Sequence, residues 1–248
     1  MFEAFPKLRP ELPPAYKAIY ERAYAENRRG ETRATSLAQR MERWLHHAVA
    51  KDASADKSTL ELGAGTLNQL PFEPAAPRYD IIEPMTFLFE GSPHRSGVRD
   101  AFVAIEDVPT DRRYDRITSC AVLEHVCELP DLLAQSALLL APGGSFRASI
   151  PAEGGFLWTT AWNFTTGLEF RLRHKLDYGV LMRHEHVNTA AEIEEAVGYF
   201  FRRTRTRSFG VGRQFSFYRF IEAGEPDIAR AQEWLAGRPQ RAAKRAGG

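Results

Sequence analysis

The chain has 248 residues, 44% of them hydrophobic and 26% charged, which is globular composition and enough length for one sizeable core. A formal net charge of +1 supplies no overall field for nucleic acid or an anionic membrane, and no apolar run approaches the roughly 18 residues of a membrane span. The N-terminal "MFEAFPKLRPELPP" lacks the apolar run of a signal peptide, and two cysteines, Cys120 and Cys127, do not make a disulfide scaffold. A cytoplasmic α/β protein is expected, with both thiols reduced and near one helix face.

Residues 13–52 read as helices. Tyr16, Tyr20 and Tyr24 recur every four residues on one face, and Ser36 with Gln39 resembles a capping box. Leu37, Met41, Trp44, Leu45 and Ala48 trace a second apolar stripe, suited to docking on a core. "KDASADKS" is a polar linker. We therefore expect a helical N-terminal extension over residues 1–54, able to act as a lid, and a main domain over 55–222.

In the main domain strands and helices alternate. "STLEL" is a strand, and the segment after it is a weak helix because Pro71 and Pro74 curtail it. "RYDIIEP" and "GVRDAFVAI" are the second and third strands. "YDRITSCAV" is the fourth, leading into a helix that starts at Glu124 or Pro130 and runs to Leu140. "APGG" is a turn and "SFRASIP" the fifth strand. "NTAAEIEEAVGYFF" is an amphipathic helix with Thr189 and Glu192 near its start. "RRTRTRSFG" and "QFSFYRFIEA" close the sheet, with Arg203, Arg205 and Arg207 on one face as edge-strand charge. This order predicts a doubly wound, mostly parallel seven-stranded sheet with helices on both faces. Residues 223–248 are expected to form a C-terminal helix and a frayed tail.

"TLELGAGTLNQLP" begins as a nucleotide-binding turn and does not finish as one. Gly63 and Gly65 have the spacing of a glycine-rich loop, but Asn68 stands where a dinucleotide fingerprint has its third glycine. Glu83 lies 20 residues beyond Gly63, where a carboxylate can accept both hydroxyls of a ribose. The loop suggests a nucleoside without a pyrophosphate.

With these residues the chain resembles the class I S-adenosylmethionine-dependent methyltransferases over about residues 55–222. "LELGAG" resembles their first motif, "IIEP" their second, "YDRITSCAVLEHV" their fourth, and "LLLAPGGSFRASIP" their fifth strand with its turn. The resemblance implies S-adenosylmethionine as cofactor. It places Glu61, Gly63, Ala64 and Gly65 under the methionine and ribose, Glu83 on the ribose, and Pro84 and Met85 beside the adenine. Ser119 and Cys120 complete the site at the end of the fourth strand. Two departures stand out. Leu67 occupies the place of a frequent third glycine, and Ala104 that of a frequent aspartate, which leaves Ile105, Glu106 or Asp107 to shape the adenine pocket.

Methyl transfer from a sulfonium is an in-line displacement in which positioning dominates, and a base helps when the acceptor is a hydroxyl. Two copies of one tripeptide compete for that base: Glu124-His125-Val126 after the fourth strand, and Glu185-His186-Val187 in the segment after the fifth. Position favours His125 over His186. Some members of the resembling family hold a divalent ion with two glutamates and a histidine in the fourth motif. Ala121 replaces the first of those glutamates here, so no metal is expected.

Residues 152–187 form the least generic stretch and the expected acceptor insert. Trp158, Trp162 and Tyr178 offer an apolar wall, with His184 beside them, and Arg171, Arg173, His174 and Lys175 add positive charge. The resulting expectation is a methyltransferase for a small molecule, such as a sugar, glycolipid precursor or metabolite, acting at oxygen as a monomer or homodimer. The alternatives are a non-catalytic S-adenosylmethionine-binding module and a nucleic-acid methyltransferase. The latter lacks the Asn/Asp-Pro-Pro-aromatic turn, since the fourth motif reads Ser119-Cys120-Ala121-Val122. A nicotinamide-dependent reductase is more distant.

Overall fold

Four short apolar runs become buried strands, and their pairing sets the architecture. A computed structural model describes residues 2–17, 19, 36–155, 160, 166–212 and 214–238. Strand β1 (Thr59–Leu62) and strand β2 (Tyr79–Ile82) are buried at all four positions each. β1 pairs in parallel with β2 on one side and with β4 (Tyr114–Cys120) on the other. β3 (Ala101–Phe102) extends the sheet beyond β2, and β5 (Leu140–Pro151) pairs in parallel with β4. β6 (Phe201–Val211) and β7 (Phe215–Pro226) complete a seven-stranded sheet of order β3-β2-β1-β4-β5-β7-β6, with β7 antiparallel to both neighbours.

The strand order reverses between β1 and β4. In a sheet of this kind, the carboxyl ends of those two strands diverge and open a crevice for a ligand.

Alternation along the strands assigns each face its helices. Ile117, Phe146, Ala148 and Ile150 point into the main core. They meet α2 (Leu129–Leu139) and α5 (Ala190–Phe200), with α6 (Ile228–Ala236) packed outside α2. Ser145, Arg147 and Ser149 point the other way, toward α1 (Ser36–Ala50). There Arg116 and Arg147 reach the last carbonyls of α1, which a helix end otherwise leaves unsatisfied. Arg116 Nη2 donates to Val49 O over 3.1 Å, and Arg147 Nη2 to Ala48 O over 2.7 Å. Asp52 bridges both guanidiniums, and Glu73 and Glu222 pair with one each. α3 (Thr166–His174) and α4 (Tyr178–Glu185) lie in the insert.

Several local expectations shift. β3 keeps only two of the nine residues of its predicted strand. β5 starts at Leu140, not after the glycines, because Leu140 pairs with Tyr114 and a register shift accommodates the intervening turn. Pro71 does confine the segment after the glycine loop to a 3₁₀ turn, Leu70–Phe72. The thiols do not share a helix: Cys120 ends β4 and Cys127 follows a 3₁₀ turn, Leu123–His125, that precedes α2. Thr189 and Glu192, expected near the start of α5, form a capping box there by exchanging hydrogen bonds. Tyr20, Tyr24, Trp158, Trp162 and the tail beyond residue 238 lie outside the described residues, as do the side chains of Ser36, Leu37 and Gln39.

Candidate active site

The glycine loop leaves β1 with its amides turned to the neighbouring strand, Gly63 N and Ala64 N donating to Ile82 O over 2.8 and 3.2 Å. Gly63 and Gly65 both have positive φ, 65° and 52°. A Cβ at Gly63 would lie 2.6 Å from two carbons of Val122, whereas a Cβ at Gly65 would meet nothing within 4 Å. Open space over a left-handed glycine at a sheet crevice is room for a ligand. Leu67, where a glycine is frequent, keeps that backbone conformation with φ 69° and a fully buried side chain.

Glu83, also buried, faces this loop. Its Oε2 accepts from Gly65 N over 2.8 Å and its Oε1 from Met85 N over 3.0 Å. Each carboxylate oxygen retains acceptor capacity for ligand hydroxyls. Glu61 sits below, its Oε2 accepting from Tyr79 Oη over 2.8 Å. Burial pushes the Glu61 carboxyl up to about 8; the Tyr79 bond opposes this, and the nearby Glu73 and Glu83 reinforce it.

At the end of β4 the two competing histidines converge. Val187 N and Asn188 N both donate to Glu124 O, and Asn188 Nδ2 donates to Leu123 O and Val126 O over 2.8 and 2.7 Å. These bonds fasten the insert to the β4 loop and bring the His125 and His186 rings to 5.0 Å, edge to face. His125 Nδ1 donates to Glu185 O over 2.8 Å, and His186 Nδ1 to Glu153 Oε2 over 2.9 Å. With Nδ1 donating, each neutral ring carries its lone pair on Nε2. Glu124 lies beside them at 2% exposure, with Oε1 3.8 Å from His125 Nε2.

Burial dominates the electrostatics. It pushes Glu124 up to about 7 and holds His125 below the usual histidine range, against the Glu185 carbonyl and with help from His186. Burial would also lower His186, but its bond to Glu153 and the carboxylates of Glu124, Glu153 and Glu185 carry it above the usual value. Thr118 Oγ1, Ser119 Oγ, Glu124 Oε2, Glu185 Oε1 and Asn188 Oδ1 are buried without a hydrogen-bond partner among the described residues. Glu124, Glu185 and Asn188 belong to the cluster that joins the β4 loop to the insert, and an orphaned buried acceptor there is a place where a ligand can complete the bonding.

An N-terminal strap holds this arrangement from outside. Arg9 Nη2 donates to His125 O over 2.9 Å, while its Nη1 donates to His184 O and Glu185 O over 2.7 and 3.2 Å. Lys7 Nζ reaches Val187 O over 2.7 Å, and Lys7 N reaches Cys127 O over 2.9 Å.

A family model described as a methyltransferase domain matches residues 25–198. This chain belongs to that methyltransferase family. Its fold is the class I fold, and it is an S-adenosylmethionine-dependent enzyme. Solved structures with the same fold include a Thermotoga maritima protein described as a possible histamine N-methyltransferase. That match has 16% identity and a TM-score of 0.55 and covers 84% of this chain and 99% of that one. Geranyl diphosphate C-methyltransferase from Streptomyces coelicolor aligns at 12% identity and a TM-score of 0.50, over 76% of each chain. An O-methyltransferase family protein from Burkholderia thailandensis aligns at 16% and 0.50, over 77% of this chain and 56% of that one. The descriptions of these three name nitrogen, carbon and oxygen acceptors, so the shared fold leaves the acceptor atom open. No curated protein sequence matches.

For this methyltransferase the glycine cradle and Glu83 fit the cofactor's nucleoside, and Ser119 adds an unpartnered hydroxyl beside them. S-Adenosylmethionine, when bound, supplies an electrophilic methyl group. The remaining predicted residues fall in different places. Pro84 and Met85 follow β2 directly. Ile105 is buried and Glu106 bonds to Gln135 and Arg238; both line a cleft of about 480 Å³ with residues of α2 and α6. Cys120 is raised far above the usual thiol range by burial, with Glu61 and Glu124 adding to the effect, so it stays protonated. Tyr178 packs against Phe170 at 5.3 Å, and His184 Nδ1 donates to Pro10 O over 2.6 Å, tying the insert to the strap.

Lys7, Arg9, Glu153 and Asn188 are the residues around the candidate site that sequence reasoning did not single out. A carboxylate two residues past β5 is a weak signal for Glu153. No local signal marks Arg9, because its partners are 116 to 176 residues away. Among the described residues, no helix is long and apolar enough to cross a membrane.

Proposed function

We propose that this enzyme transfers the methyl group of S-adenosylmethionine to a hydroxyl oxygen of a small molecule, in the class of sugars, glycolipid precursors and other metabolites. The convergence of His125 and His186 beside the buried Glu124 supports this reading. Two imidazoles with one nitrogen fixed and the other free suit the activation of an O–H group, a need that carbon and amine acceptors feel less.

In this reading Glu61, Gly63, Ala64, Gly65, Glu83, Pro84, Met85, Ser119 and Cys120 hold the cofactor, with Ile105 and Glu106 toward the adenine. The acceptor's hydroxyl meets the free Nε2 atoms, and Tyr178, Trp158, Trp162 and His184 belong to the insert that encloses it. The near-neutral charge and the missing base-recognition turn speak against nucleic acid. A cytoplasmic location and a monomeric or homodimeric state belong to the same proposal.

The test is to incubate the protein with S-adenosylmethionine and a panel of hydroxyl-bearing metabolites and to quantify S-adenosylhomocysteine. Turnover with a hydroxyl acceptor, lost in His125→Ala and His186→Ala while cofactor affinity holds, supports the proposal. Turnover confined to amines, or undiminished in both variants, overturns it.

A further inference from the structure

The donor set at the end of β4 has the composition of a metal site. Glu124, His125 and His186 each offer a ligand atom, and the three lie within 4.8 Å of one another. Bonds of about 2.0–2.1 Å to a tetrahedral cation would bring such donors to about 3.4 Å, a closure within reach of small side-chain rotations.

Three observations distinguish this set from a chance cluster. Each imidazole is anchored through Nδ1, His125 on the Glu185 carbonyl and His186 on the Glu153 carboxylate, so both lone pairs sit on Nε2. That is the outer-shell arrangement that orients metal-binding histidines and raises their basicity. Glu124 is 2% exposed, yet its Oε2 has no hydrogen-bond partner among the described residues. A buried carboxylate oxygen left unpaired is costly, and a cation satisfies it. Finally, the backbone positions the set: the bonds of Val187 and Asn188 to the Glu124 carbonyl bring His186 to the β4 loop.

We propose that Glu124, His125 and His186 bind a first-row divalent cation of the zinc type, with an open coordination position toward the acceptor. Two imidazoles and one carboxylate suit zinc and its transition-metal neighbours, whereas magnesium and calcium favour all-oxygen cages. Sequence reasoning expected no metal because Ala121 lacks a carboxylate; His186 from the insert supplies the third donor by another route. The cation's catalytic role rests on the methyl-transfer reading above. An acceptor hydroxyl bound at the open position would lose its proton to solvent more readily, leaving the oxygen's electron pair available for the methyl carbon.

The full chain, stripped with a chelator, is titrated with Zn²⁺ by calorimetry and with Co²⁺ by visible absorption. Saturable binding with the ligand-field bands of a low-coordinate Co²⁺ site is expected. His125→Ala and His186→Ala abolish it, and the near-isosteric Glu124→Gln weakens it at least about 100-fold. Glu153→Gln, which touches only the outer anchor, weakens it by about 10–100-fold. His94→Ala, an exposed histidine elsewhere, leaves it unchanged. Absence of saturable binding, or affinities unchanged in Glu124→Gln and Glu153→Gln, overturns the proposal. Cofactor affinity and turnover are measured on the same samples. Full turnover after exhaustive chelation refutes the metal's role and returns the chemistry to the bare imidazoles. Cation binding without S-adenosylmethionine binding instead refutes the methyl-transfer reading and leaves the cation site standing.

Discussion

Glu83 and Gly65 are joined directly: the carboxylate Oε2 accepts the glycine amide over 2.8 Å, so one side chain fixes the loop and faces the space above it. Glu83→Ala removes both the loop anchor and the acceptor for two ribose hydroxyls. A charged hydrogen bond is worth about 1.5–3 kcal/mol, so S-adenosylmethionine affinity should fall by about 10- to 150-fold. Calorimetric affinities within twofold of the parent would refute the assignment.

The two glycines of the loop should fail in different ways. In Gly63→Ala the new Cβ lands 2.6 Å from the branched Val122 side chain, and the left-handed backbone adds strain. Together these should cost about 2–4 kcal/mol and lower the melting temperature. Gly65→Val has no protein atom to strike and should fold with a smaller loss, yet its side chain fills the cofactor's space. Thermal melts and binding isotherms for the pair separate the effects; equal losses of stability would contradict the geometry.

Arg9 is a positioning residue acting through the backbone of His125, His184 and Glu185. Arg9→Ala should lower kcat by about 10–100-fold, the scale of an ångström-sized misplacement, and leave the affinity for S-adenosylmethionine nearly unaltered. Arg9→Lys should restore little, because an ammonium lacks the planar fork that serves several carbonyls at once. A loss confined to cofactor binding would contradict this role.

Glu61 gives a pH signature of stability. Its folded pKa of about 8 stands well above the unfolded value of about 4.3. The folded chain therefore holds a proton that the unfolded chain releases between those values. Its stabilising effect is complete below about pH 4.3 and is lost as pH rises through 8. Compared with Glu61→Gln, the parent should become progressively less stable in urea across that window. A difference that stays flat, or grows in the parent's favour, would show that Glu61 is ionised in the fold.

The parallel half of the sheet was legible because β1, β2 and β4 are short segments bearing Leu60, Leu62, Ile81, Ile82 and Ile117, with turn-forming segments between them. β3 was overread: Val103 is half exposed, so apolar character in "AFVAI" does not mean pairing. β5 was underread because glycines that signal a turn can also sit in a strand that bends. At the candidate site, Gly63, Gly65, Glu83 and His125 each follow closely on the end of a strand, which is why sequence alone could propose them. What stayed hidden was the meeting of His125 with His186, which are rivals in the chain and neighbours in space. Asn188 makes that meeting, and a lone asparagine between a histidine loop and a helix cap carries no periodic signal. Arg116 and Arg147 were likewise hidden in plain strands, since only the fold shows that α1 ends above them.

The strap has a consequence for the order in which the protein is made. Lys7 and Arg9 are made well before their partners: Arg9 reaches carbonyls 116 to 176 residues later in the chain, and Lys7 reaches Val187 180 residues later. The glycine cradle can close on its own strands long before that. Until the insert emerges, His125 has neither its histidine neighbour nor the Glu185 carbonyl that orients it. A growing chain can thus assemble the loop beside β1 and β2 while the acceptor side waits for residues 184–188.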